Sequence, residues 1–415
     1  MLATLVPLFD GEMKVHAYSI FAQKENPLLN PFLYGSGRFN NSGYITGLDI
    51  IENIGIDTLT PDAEIFVSVN DITIFTDISS QCTAPHDRIV LLMDNSITPD
   101  DSYVKRIAEL RADGYKMAMR KLPISEFDHY KEILAQLDYI LLDHKKIEIK
   151  YAKIFFGRMY PNIRLCAVNV ESQEDFDMLS EGGGYSLYEG PFFRMPSRLK
   201  NEEVAPLKVN YIELLNVVNA PDFDLTTAAD VIGRDPALVV SLLEMVNRMT
   251  VNSGISSVRH AAAMLGQREL KKWINTAVTK ELCADRPNEI TRVSLLRAKF
   301  AENISAVFDM KGLSSELFLV GLFSVLDAIL DKPMDEALKM VKVTKPIENA
   351  LLNNEGEYAG VLTFVLNYEN AYWEEISRIM VVESLDENAI YTAYTDALSW
   401  YRDLMSISSS GKKKR

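Results

Sequence analysis

The segment PDDSYVKRIAELRADGYKMAMRKL, Pro99 to Leu122, sets a helix before a strand and ends the strand on two cations. Pro99 or Asp100 can start the helix, Val104, Ile107, Ala108 and Leu110 share one face, and Gly114 ends it. The strand then runs apolar until Arg120 and Lys121. That ending raises a question of chemistry, because β/α enzymes carry their catalytic groups at the C-terminal ends of strands.

Outward from this unit the same alternation continues over the first ~200 residues. KVHAYSIFA (Lys14–Ala22), EIFVSV (Glu64–Val69), RIVLLMD (Arg88–Asp94), YILLD (Tyr139–Asp143) and IRLCAVNV (Ile163–Val170) read as further strands. SEFDHYKEILAQL reads as a second helix, with Ser125 at its N-cap and Phe127, Tyr130, Ile133, Leu134 and Leu137 inward. This spacing predicts a largely parallel sheet, open or closed into a barrel, with Met117 and Met119 helping to fill it.

After RMPSRLKNEEVAP (Arg194–Pro206) nearly every segment has helical periodicity. Thr226 or Thr227 can cap DLTTAADVIGRD, and Asp235 caps a helix with Pro236 at its first position, where a missing N–H does no harm. Ser256 or Ser257 opens a helix that ends at Gly266. Seven more helices are expected between Thr291 and Met405. The second half is therefore all-α.

The chain has 415 residues, enough for two or three domains, with 47% hydrophobic and 24% charged residues. No apolar run reaches the ~18 residues that cross a bilayer. The opening MLATLVPLFDGEMK has no basic start and soon meets Asp10 and Glu12, so no signal peptide and a cytoplasmic location are expected. A net charge of −15 argues against general nucleic-acid binding. GKKKR at the end reads as a solubilising tail, with a membrane-surface or nucleic-acid contact as the alternative. Cys82, Cys166 and Cys283 form no CxxC pair, which argues against a structural zinc site, and Cys166 reads as a buried small hydrophobe.

Motifs for common chemistry are missing. There is no GxxxxGK[ST] and no GxSxG, while GSGRFN (Gly35–Asn40) and Gly182–Gly184 read as loops. His16, His86, His129, His144 and His260 are isolated. The His86-Asp87 dipeptide lacks the partner residues of a metal site, and His260 reads as a packed or surface histidine.

Two stretches carry a family likeness. LLNVVNAPDFDLTTAADVIGRDPALVVSLLEMVNR followed by ISSVRHAAAMLGQRELKKWI, Leu214 to Ile274, resembles the HDOD family, a helical relative of HD phosphohydrolases without the metal-binding residues. VPLFDGEMKVHAYSIFAQ, LDYILLD and AVNVESQEDFDMLSEGGGYSLYEGPFFRMP resemble, in order, landmarks of the EAL barrel, which hydrolyses cyclic di-GMP. The active family holds two divalent metals in acidic and amide oxygens, which activate water. By that likeness its motif glutamate falls at Ser19 and its arginine at Gln23. An asparagine falls at Ser68, further glutamates at Leu91 and Val168, the paired aspartates at Arg120 and Lys121, and the lysine at Leu141. Asp143, Glu171 and Glu189 remain as isolated acids.

The resemblance thus implies an α/β plus all-α chain: a (β/α) TIM-like barrel of EAL type over 1–200, a helical HD-like HDOD domain over 201–405 and a disordered basic tail over 406–415. It implies a non-catalytic signalling or scaffold protein, inactive in cyclic di-GMP phosphodiesterase and HD phosphohydrolase chemistry. No catalytic, cofactor or metal residue is expected. Partners are expected to be signalling or regulatory proteins, with a homodimer left open. The alternative is a sensor that binds a nucleotide or other anion at the old mouth. For Arg120 and Lys121 three readings stand: attraction of an anion, solvent-exposed drift, or salt bridging to residual acids such as Asp143 or Glu171.

Overall fold

A computed structural model describes residues 1–28, 43–194, 206–220, 222–249, 255, 257–284, 288–341 and 343–410. GSGRFN, Ser256, GKKKR and most of the Arg194–Pro206 stretch lie outside them.

Among the described residues eight strands close into a barrel in sequence order. They are β1 (Leu2–Phe9), β2 (Val15–Gln23), β3 (Glu64–Ser68), β4 (Ile89–Met93), β5 (Lys116–Arg120), β6 (Tyr139–Asp143), β7 (Arg164–Val168) and β8 (Leu187–Glu189). β1 runs antiparallel to both neighbours, β2 and β8, and the remaining pairs are parallel. The expected parallel sheet is therefore a closed barrel. Alternation along each strand sends one set of side chains inward, among them Leu8, Ala17, Phe66, Val90, Ala118, Tyr139 and Cys166. Small Ala17 and Ala118 leave room for Phe66 and Tyr139, whose rings meet edge-on at 5.1 Å. Cys166 is fully buried, as its neighbours in sequence suggest.

One inward assignment needs correction, and one position matched by resemblance faces outward. Ala118 faces the interior, so Met117 and Met119, also fully buried, point outward beneath the helices. Val90 and Leu92 face inward on β4, so Leu91 faces away. A strand buried on both faces is apolar throughout, which hides its phase in the sequence.

The barrel's helices are α1 (Thr46–Ile54), α2 (Ile56–Leu59), α3 (Asp101–Ala112), α4 (Lys131–Leu134), α5 (Ile149–Met159) and α6 (Gln173–Gly182). Asp100 caps α3, its carboxylate accepting from the backbone N–H of Ser102 and Tyr103. The helix expected after Ser125 is broken into a 3₁₀ turn, Ile124–Glu126, and short α4, although Phe127, Tyr130, Ile133, Leu134 and Leu137 are all buried.

The second half contains α7 (Pro206–Asn219), α8 (Leu225–Ile232), α9 (Pro236–Met249), α10 (Val258–Leu282), α11 (Asn288–Ile304) and α12 (Ser314–Phe323). There follow α13 (Leu326–Leu330), α14 (Met334–Val341), α15 (Lys345–Asn353), α16 (Ala359–Glu369), α17 (Trp373–Val382) and α18 (Glu387–Ser410). Asp224, not Thr226 or Thr227, caps α8 and receives both of their N–H groups. Ser257 caps α10, which is broken at Gly266, where φ is 73°. α11 and α12 pack so closely at Gly321 that a Cβ there would lie 2.5 Å from the Arg297 carbonyl.

Two compact units result: Met1–Met195 with Phe364–Arg415, and Pro196–Thr363. The first boundary falls near the expected 200/201. The second was not anticipated, since the final helices group with the barrel rather than the helical domain. The Tyr368 hydroxyl, fully buried, accepts from the Ala3 N–H at 3.2 Å, and Met1 pairs with Glu387. α18 also continues to Ser410, past the expected start of the tail.

Candidate functional site

The C-terminal ends of the parallel strands form the barrel mouth. Inward alternation brings Ser19 of β2, Ser68 of β3, Leu92 of β4, Arg120 of β5, Leu141 of β6, Val168 of β7 and Glu189 of β8 to that end. Glu189 is buried and holds the centre. Its Oε2 accepts from Ser19 Oγ at 3.3 Å and its Oε1 from Arg120 Nη2 at 3.3 Å. The Arg120 guanidinium also lies 5.3 Å from the centre of the Phe21 ring. Arg120 therefore pairs with Glu189, not with Asp143 or Glu171.

Lys121 behaves differently from its neighbour. Its φ of 60° turns the chain out of the strand, so Arg120 enters the barrel while Lys121 is exposed. Among the described residues Lys121 makes no ion pair. Lys146 holds Asp143 at 3.2 Å, and Lys145 holds Glu171 at 2.7 Å. Gln23 donates from Nε2 to Ser377 Oγ of α17 at 3.0 Å. Of the polar positions matched by resemblance, Ser19, Gln23, Arg120, Asp143, Glu171 and Glu189 are each tied to a neighbour in the same unit, whereas Ser68 and Lys121 are exposed.

The donor set does not fit two divalent metals. Such ions need several hard oxygens. Among the described strand-end residues the mouth offers Glu189, already bonded to Arg120, and Asp143, held by Lys146, with the hydroxyls of Ser19 and Ser68 and otherwise Leu92, Leu141 and Val168. Leu91, matched by resemblance to a glutamate, faces away, and its inward neighbour Leu92 carries no oxygen either. Among the described residues no three His, Cys, Asp or Glu side chains come together as metal ligands.

The opposite end of the barrel carries a second polar network that the sequence reading missed. Glu64, Lys116, Tyr139 and Arg164 are the first residues of β3, β5, β6 and β7. Lys116 pairs with Glu64, whose other oxygen accepts from the Tyr139 hydroxyl at 2.6 Å. Arg164 donates to His16 Nε2 at 3.1 Å and lies 4.5 Å from the Tyr139 ring centre. Burial, with the hydrogen bond to Glu64, pushes the Tyr139 phenol far up, so it stays protonated. Burial first, and the Arg164 charge, lower the His16 pKa against the pull of Glu64 and Asp10. This end of a barrel serves stability rather than chemistry.

In the helical unit Arg297, nearly buried, donates to Ser324 Oγ at 2.9 Å. His260 is exposed on α10. His86 stacks on Tyr115 at 4.2 Å, with Nδ1 2.7 Å from the Asp113 carbonyl, so the His-Asp dipeptide sits in a surface turn.

Residues 204–345 match the HDOD domain family, a segment that contains the Leu214–Ile274 stretch on which the likeness was first seen. Over 327 residues the chain is 26% identical to the cyclic di-GMP phosphodiesterase CdgJ of Vibrio cholerae, spanning 78% of this chain and 75% of that one. Over 409 residues it is 25% identical to the uncharacterized protein YuxH of Bacillus subtilis, spanning 96% and 97% respectively. Among solved structures, the EAL domain of Mycobacterium smegmatis DcpA aligns with a TM-score of 0.35 at 13% identity, covering 46% of this chain and 89% of that one. An EAL domain protein of Listeria monocytogenes aligns with a TM-score of 0.36 at 12% identity, covering 46% and 86%. Among the described residues no helix is long and apolar enough to cross a membrane.

Proposed function

We propose that this chain is a non-catalytic component of cyclic di-GMP-related signalling and acts through contacts with other proteins. The observation that carries the reading is the mouth itself: Arg120 stands at a strand end where the resemblance expects carboxylate, and it is bound to Glu189. A fixed cation there repels divalent ions, and Leu92, Leu141 and Val168 offer them nothing. The likeness to CdgJ supports a place in the same signalling chemistry. An exposed apolar strip on α5, Tyr151, Ile154 and Met159 with Ile124 beside it, is the kind of surface a protein-binding role uses. An anion sensor at the mouth would require Arg120 to leave both Glu189 and Phe21.

Calorimetric titration of the full chain with Mn²⁺ and cyclic di-GMP, each to about 100 μM, should show no saturable heat. Saturable binding of either, lost in Arg120→Met or Glu189→Gln, would overturn the reading. Affinity purification from the source cells should then return a specific protein partner.

A further inference from the structure

The helical unit contains a cavity of about 410 Å³ between the end of α7, the later part of α10, α12 and the start of α15. That size suits a small organic molecule. Phe223, Phe318 and Phe323 give it an apolar wall. Beside them Asn219 Nδ2 donates to Asn275 Oδ1 at 2.9 Å, and Asn275 Nδ2 returns a bond at 3.3 Å.

The charge of this cavity opposes that of the chain. Its lining carries Arg268, Lys271 and Lys272 against Glu302 and Glu316, one net positive charge in a protein of net −15. Glu302 is used up: Lys272 reaches it at 2.7 Å, and Lys299 reaches it from outside the lining at 2.9 Å. Arg268 donates to Ser314 Oγ at 3.2 Å.

Lys271 is the exception. Among the described residues its ammonium has neither a hydrogen bond nor an ion pair, although the side chain is partly buried. Burial lowers its pKa, and the more distant Glu316 counters this only in part. A desolvated ammonium without a partner is unfavourable unless something else meets it.

We propose that this cavity binds a small anion with a flat apolar body, its carboxylate or phosphate meeting Lys271 and Arg268 and its body lying against the three phenylalanines. The site shares no residue with the barrel mouth, so its test is separate from that of the function proposed above.

The test is calorimetry on the full chain with phenyl phosphate and benzoate, which distinguish the two anionic groups. Inorganic phosphate supplies the charge alone and benzyl alcohol the body alone. At least one aryl anion should saturate with a Kd below about 1 mM. Lys271→Met should weaken it at least tenfold, about the worth of one charge-assisted hydrogen bond, and Lys271→Arg by less than about threefold. Lys271→Gln serves in place of the methionine variant if that one melts abnormally. The proposal is overturned if neither aryl anion saturates by about 10 mM. It is equally overturned if Lys271→Met binds like the parent, or if phosphate or benzyl alcohol alone binds as tightly.

Discussion

At the barrel mouth Arg120 is held by Glu189 and laid against Phe21, whereas in the helical cavity Lys271 is partly buried and, among the described residues, has no bonded partner. Both are cations removed in part from water, and the difference lies in what surrounds them. Among the described strand-end residues the mouth pairs Glu189 with Arg120 and Asp143 with Lys146, so each acid already faces a cation. The cavity gives Glu302 to two other lysines and leaves Lys271 with only the more distant Glu316. A charge that is satisfied supports the fold, while a charge left over is a capacity to bind.

The largest expected effect breaks the first half of this contrast. Arg120→Met should destabilise the protein by about 3 kcal/mol in urea unfolding, because Glu189 is left buried and unpaired. Arg120→Met combined with Glu189→Leu should recover most of the loss. A negligible cost for the single change would mean that the pair does not hold the mouth together.

Next in size is Gly321→Ala, which pushes a methyl group into the Arg297 backbone at 2.5 Å and should cost about 2 kcal/mol through separation of α11 from α12. Lowered stability with intact aryl-anion binding would show that the cavity does not depend on that packing.

A smaller effect concerns pH. His16 has a lowered pKa in the folded state, so on acidification the unfolded chain takes up its proton first. The stability His16 contributes is complete above the ordinary histidine pKa of about 6.5 and is lost as pH falls through its lower folded value. The imidazole is partly exposed, so the loss between about pH 7.5 and 5.5 should stay below about 1 kcal/mol. His144, lowered likewise by burial, adds to the same slope. His16→Gln should make the slope shallower, and an unchanged slope would assign it elsewhere.

The smallest effect sharpens the second half of the contrast. Lys271→Met should change stability by no more than about 0.5 kcal/mol, or raise it slightly, since no bonded partner is lost. A cost comparable to that at Arg120 would place Lys271 among the structural charges.

What the sequence disclosed follows from the range of the interactions involved. β6 was legible to the residue because polar positions bracket YILLD. Asp100 and Asp235 announced their helices because caps act within three residues. The phase of β4 and β5 is not legible, since both faces of those strands are apolar: Met117 and Met119 read as inward and face outward, and the glutamate match falls on outward Leu91. The Arg120–Glu189 pair crosses the barrel between strands that are not neighbours, and no local pattern announces it. The nearest sequence signal was the lone acid at the end of SLYEG. The helices after Phe364 read correctly as helices, but periodicity does not say which core they join. Tyr368 reaching Ala3 does.

The central claim is that the barrel kept its fold without the means to hydrolyse a phosphodiester. Incubating the purified full chain with cyclic di-GMP and Mg²⁺ or Mn²⁺, and following the linear dinucleotide by chromatography, tests it most directly. The account predicts no product above the buffer control. Turnover that chelation abolishes and that Glu189→Gln reduces would contradict it.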